Sequence, residues 1–173
     1  MRWPGVIKPG QTSKELTAAI DLYPTLAEAA GIPIEIPQGG QKLDGVSVWK
    51  TWTGKSSEHP RDNLLYWHGW GLATAIRQGE WKLFFGSQKG EPSTKNGPAL
   101  FHLTNDPGET KDLSAEHPEK VQTMLTLART ELEDIHQNSI QMGATDDAKW
   151  RAEKHVPKKK WGKWLTEAPS SGK

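Results

Sequence analysis

The chain contains no cysteine, so it has neither a disulfide framework nor a thiolate metal site, and its redox compartment is left open. Long apolar runs are missing too. No stretch approaches membrane-spanning length, and the opening MRWPGVIKPG lacks the continuous apolar segment of a secretory signal, so the sequence reads as soluble and without an export address. Hydrophobic residues make up only 34% of 173, which predicts one domain with a modest core and at most an appendage. Twenty-two Lys and Arg against twenty-one Asp and Glu leave a formal charge of +1, too little for a global field that would draw nucleic acid or an anionic membrane.

Tryptophan, by contrast, is abundant: nine residues, at 3, 49, 52, 67, 70, 81, 150, 161 and 164. Packing at the edges of a thin core accounts for them; an aromatic platform for carbohydrate or another ligand is the sharper reading.

The opening RWPGVIKPGQ reads as an extended segment punctuated by two turns. Thr12 to Glu15 has capping-box spacing, but the following LTAAI is expected as a short strand leading to Asp21. In DLYPTLAEAAG, Asp21 is expected as the N-cap of a helix of about ten residues. Pro24 fits its first turn, where backbone N–H groups lack partners, and Gly31 before Ile32-Pro33 supplies the left-handed stop. Leu22, Leu26, Ala29 and Ala30 share one face of this helix, which is too short to stand alone and needs something to dock on. A Pro/Gly loop from Pro33 to Gly40 and a turn at Leu43 to Ser47 lead into a short helical piece through Trp49 and Trp52, ended by Gly54.

From Asn63 the period changes to that of sheet. Leu64–Trp67 is a strand candidate, and Ala73–Arg77 with Trp81–Phe85 flank Gln78-Gly79-Glu80 as a hairpin. Beyond a polar loop from Gly86 to Gly97, Ala99–Leu103 forms a fourth strand, closed by the turn Asn105-Asp106-Pro107-Gly108. His117 then precedes Pro118 at the first position of the longest helix, whose stripe of Val121, Met124, Leu125, Ala128, Leu132 and Ile135 suits the covering of a sheet. The fold class is therefore α+β, a small four-stranded antiparallel sheet covered by a C-terminal helix.

Past Ser139 the pattern decays into a tail expected to be partly disordered, with seven basic residues from Lys149 to Lys163 against the single acid Glu153. A solvated appendage is one reading of it. Lys158 to Lys160 beside Trp161 and Trp164 also suit an anchor for an anionic surface.

Signals for chemistry are thin. The six histidines, at 59, 68, 102, 117, 136 and 155, fall in different elements, so no i, i+4 pair could hold zinc, and no metal site is read in this chain. Neither a Walker loop nor GxGxxG is present. His68 is the histidine of interest, because it ends a strand beside Trp67, Gly69 and Trp70, where strand tips often face a ligand.

Six ordered motifs carry a resemblance. RWPGVIKPGQTS, DLYPTLAEAAG, LDGVSVWKTWTGK, PRDNLLYWHG, AIRQGEWKLF and LFHLTNDPGETKDLSAEHPEKV, in this order, closely resemble the C-terminal third of type I sulfatases, the formylglycine-dependent sulfate-ester hydrolases. The resemblance covers residues 2 to 135 and implies residues 1–54 as the incomplete end of an alkaline-phosphatase-like α/β domain and 55–140 as the sheet-and-helix subdomain, with 141–173 left as the basic tail. It also implies a docking partner for the Asp21 helix in the missing N-terminal sulfatase domain.

In the family the nucleophile is a formylglycine made within a [CS]-x-P-x-R motif. The nearest match, Ser57-Glu58-His59-Pro60-Arg61, has its proline one place too late. Calcium and formylglycine are thus implied for a full-length member and no cofactor is expected here, because the calcium ligands and catalytic lysine and histidines belong upstream of these motifs. The expected activity of the chain alone is nil.

The resemblance further implies that the region rims the substrate cleft, with Trp67, His68 and Trp70 as the candidate residues. The intact enzyme would act on a sulfated small molecule or polysaccharide in the periplasm or outside the cell, with no transmembrane segment and no nucleic-acid partner. Two other classes remain: a stand-alone module binding sulfated polysaccharide through the Trp-rich tail, and a polyanion or membrane-surface adaptor using the same residues.

Overall fold

The computed structural model describes residues 1–36, 42–56, 59–68, 72–86 and 97–138. The chain divides into two compact units at the Leu64–Leu65 bond.

In the first unit, a 3-10 turn at Ala19–Asp21 leads directly into α1, Leu22–Ala30, and Gly31 ends it in the left-handed conformation at φ 68°. The expected strand at Leu16–Ile20 is not formed. The Asp21 amide donates to Ala18 O and the Asp21 carboxylate accepts from the Ala18 amide, 3.0 and 2.8 Å. These local bonds satisfy the backbone polar groups that a strand would have needed a neighbouring edge to pair. A second helix, α2, spans only Trp49–Trp52, and Gly54 stops it at φ 70°. Glycine at 45 has a different cause. A Cβ there would lie 2.1 Å from the carbonyl oxygen of Ile20, so only a bare backbone lets the Asp44–Val46 turn pass the start of α1.

The second unit is the sheet and its helix. Strands β1 (Asn63–His68), β2 (Leu72–Gln78), β3 (Trp81–Phe84) and β4 (Ala99–His102) lie in the order β1-β2-β3-β4. Gln78 pairs with Trp81, leaving Gly79 and Glu80 as a two-residue loop, with Gly79 at φ 56°. The β2–β3 and β3–β4 pairings are antiparallel and align Ile76, Leu83 and Leu100 in one row, each fully buried. This row meets α3, Pro118–Asn138, through Val121, Met124, Leu125, Ala128 and Leu132.

Thus the helix stripe expected from three- and four-residue spacing is the buried one, with Ile135 half-buried at its end. The His117 carbonyl accepts the amides of Lys120 and Val121 at the start of α3, and Pro118 costs nothing at the first position. Phe85, just past β3, completes the core, and its amide donates to Thr74 O.

The loop after β4 is held by two aspartates. Asp112 Oδ1 accepts the amides of Leu100 and Ser114, 3.0 and 2.9 Å. Burial pushes its carboxyl up, and these amide bonds outweigh that and hold it below the ordinary range. Asp106 accepts the amides of Lys111 and Thr110, which hold its carboxyl low in the same way. The basic tail lies outside the described residues, as do Ser57 and Glu58.

Candidate cleft rim and the polar clasp

Trp67 and His68 are the last two residues of β1, an edge strand. Successive strand residues point to opposite faces. Trp67 is therefore on the side of Leu65, which packs on the core, and His68 on the side of Tyr66. Trp67 is 41% exposed. His68 is half-buried, and its Nδ1 is screened from solvent with no hydrogen-bond partner among the described residues, a poor state for a polar atom unless a further group reaches it. Trp70 lies outside the described residues. The Lys82 ammonium sits 5.0 Å from the Tyr66 ring centre and binds both oxygens of Glu109 at 2.6 and 2.9 Å.

Asp21 stands at the N-cap position expected for it at the start of α1. Its side chain makes no cap hydrogen bond there and is fully buried as the centre of a clasp joining three separate segments. Oδ1 accepts the Val46 amide at 2.9 Å, Oδ2 accepts the Ala18 amide, and the Arg61 guanidinium forks onto the carboxylate through Nε and Nη2. Arg61 Nη2 also donates to Asp44 O at 2.8 Å. Burial drives the Asp21 carboxyl upward; Arg61 and the two amides outweigh it and hold it below the usual range.

Thr25 extends the clasp, donating to Asp21 O at 2.6 Å and accepting the Val48 amide at 3.0 Å. On the surface of the same unit, Glu15 Oε2 and His59 Nδ1 are 2.5 Å apart. Asp21 had suggested a local cap and Arg61 only a failed nucleophile motif; their 40-residue separation hides the pair from any local pattern.

Among the described residues no group of three or more His, Asp or Glu is placed to hold a metal ion. The chain also has no cysteine and no [CS]-x-P-x-R. Among the described residues no donor set fits calcium, and no serine of the chain stands in the formylglycine motif. No described helix is long and apolar enough to cross a membrane.

A four-stranded antiparallel sheet backed by a C-terminal helix is shared with solved sulfatase structures of alkaline-phosphatase-like fold. A family model for the C-terminal region of aryl-sulfatase matches residues 59–161, more than half of the chain, and the chain belongs to that family.

A sulfatase of Formosa agariphila is 32% identical over 131 residues, covering 68% of this chain and 22% of the relative. Arylsulfatase A of Homo sapiens is 33% identical over 132 residues, 64% of this chain and 24% of the relative. The chain thus spans about a quarter of the length of these two relatives. Among solved structures, Ps i-CgsB in complex with k-i-k-neocarrahexaose is 27% identical with a TM-score of 0.60, covering 91% of this chain and 33% of that one. PsFucS1 sulfatase from Pseudoalteromonas sp. shares the fold at a TM-score of 0.65 and 18% identity, over 82% of this chain and 30% of that one.

Proposed function

We propose that this chain is the supporting and rim-forming part of a sulfate-ester hydrolase whose catalytic groups lie in a separate N-terminal α/β region, and that alone it hydrolyses no sulfate ester. One observation carries the reading. Ile20, Leu22, Tyr23, Leu26 and Ile32 are 45 to 62% exposed along α1 and its flanks, an apolar surface too concentrated for a finished face in water and suited to rest on a larger domain.

Hydrolysis of a sulfate ester needs an activated nucleophile, charge stabilisation on the sulfate oxygens and an acid for the leaving alcohol. The family takes the first from a formylglycine motif, which this sequence lacks. The role left to these residues is to shape the pocket for the alcohol. Trp67 supplies an exposed apolar ring and His68 a ring nitrogen with no hydrogen-bond partner among the described residues, with Trp70 two residues further along the chain. The saccharide complex of Ps i-CgsB favours an oligosaccharide as that alcohol.

A chimera in which this chain replaces the matching region of the Formosa agariphila sulfatase tests the proposal. It is expected to fold and retain hydrolysis. Trp67→Ala and His68→Ala are expected to raise KM for a sulfated oligosaccharide several-fold while leaving a small aryl sulfate unchanged. Equal behaviour of both variants and the parent chimera on both substrates overturns the rim assignment.

A further inference from the structure

Within its first eleven residues the chain turns back on itself. The amides of Val6 and Ile7 both donate to Trp3 O, 3.1 and 2.9 Å, and Gly5 and Gly10 adopt φ of 81° and 75°, closing two turns that no residue with a Cβ would enter cheaply. The result is a concave loop lining an open depression of about 420 Å³, with Arg2, Trp3, Pro4, Ile7, Lys8 and Gln11 among its walls. That is within the range of small-ligand sites.

Its chemistry is one-sided. From Met1 to Lys14 the charged residues are Arg2, Lys8 and Lys14, and the first acid is Glu15. In a chain of nearly balanced charge, this segment is a local cationic patch. Trp3 is 41% exposed, and its ring lies 5.1 Å from that of Trp49 at 48°, so the indole is braced from behind while a large part of it stays open. A guanidinium fork matches a tetrahedral oxyanion, a lysine adds a point charge, and an anchored indole offers an apolar surface to a pyranose ring.

We propose that the Met1–Gln11 loop is a non-catalytic subsite for a sulfated sugar ring, with Arg2 and Lys8 taking the sulfate and Trp3 the ring. The subsite uses none of the residues of the Trp67–His68 rim and none of the tail.

Isothermal titration of the full chain with a sulfated carrageenan oligosaccharide, its desulfated counterpart and sodium sulfate tests the assignment without any catalytic readout, so its failure leaves the sulfatase reading standing. The sulfated oligosaccharide is expected to bind and the other two to bind at least tenfold more weakly. The double variant Arg2→Gln/Lys8→Gln is expected to lose about tenfold or more in affinity. Lys50→Gln/Lys55→Gln, which removes the same charge from two other exposed lysines of the unit, is expected to stay close to the parent. The proposal is overturned if the chain does not bind the sulfated oligosaccharide, if sodium sulfate binds equally well, or if both double variants lose affinity alike.

Discussion

Asp21 shows how one buried side chain can tie separate segments together. It is fully buried, yet every oxygen lone pair in reach is used by the Val46 and Ala18 amides or by Arg61, whose side chain is itself only 11% exposed. Removing one member of a buried pair leaves the other charged without compensation, which costs about 3–5 kcal/mol. Asp21→Asn is therefore expected to destabilise the first unit by about that amount in urea denaturation, and Arg61→Lys, which loses the fork, by a smaller amount. Thr25→Val keeps the shape but strands the buried Val48 amide, at about 1–3 kcal/mol.

The pH dependence follows from the same atoms. The folded-state carboxyls of Asp21 and Asp112 are lowered, so their contribution is complete above the ordinary Asp value of about 3.9 and is lost as pH falls below it through the lowered values. The urea midpoint of the parent is expected to fall steeply below about pH 4. Asp112→Asn should start from lower stability at pH 7 and decline less steeply. None of this was legible in the sequence around Asp21, where an aspartate ahead of a proline-bearing helix looks like an ordinary cap. The residues that decide otherwise are 25 and 40 positions away.

At the scale of elements, the sheet and its helix were legible because their signal is periodic. Ile76, Leu83 and Leu100 sit at alternating positions of three strands, and Met124, Ala128 and Leu132 at four-residue steps of α3, so each element's own sequence marks its buried face. Leu132→Ala, at 2% exposure between helix and sheet, is expected to cost about 2–5 kcal/mol, and Ile135→Ala, half-buried, clearly less, in the same denaturation experiment.

The segment Leu16–Ile20 also carries apolar residues in a short run, but a strand needs a partner edge, and the carboxylate of Asp21 offers its backbone a nearer bond. Gly45 marks the same limit from another side. The sequence suggested a turn, whereas the need for glycine comes from the Ile20 carbonyl passing beside it. Gly45→Ala should lower the midpoint of the first unit by more than a substitution at exposed Gly54 of the same unit would on steric grounds alone, since nothing lies within 4 Å of a Cβ there.

The whole molecule is uneven in the way its family membership implies. Large apolar side chains exposed to water are concentrated in the first unit, from Met1 to Leu43, with Trp67 the further case among the described residues. Such a surface favours association of the isolated chain. Sedimentation velocity is expected to show mass rising with concentration, and Tyr23→Lys/Leu26→Lys, both on the exposed side of α1, to suppress it without lowering the urea midpoint.

The candidate rim was legible only as far as Trp67 and His68 ending a strand. The burial of His68 Nδ1 without a partner among the described residues depends on packing that no local pattern encodes.

Sulfate release from an aryl sulfate by the purified chain in calcium-containing buffer bears most directly on the division of labour proposed above. The account predicts a rate no higher than that of a heat-treated sample. Sustained turnover well above that control would contradict it, because the chain would then carry a nucleophile and an oxyanion site of its own.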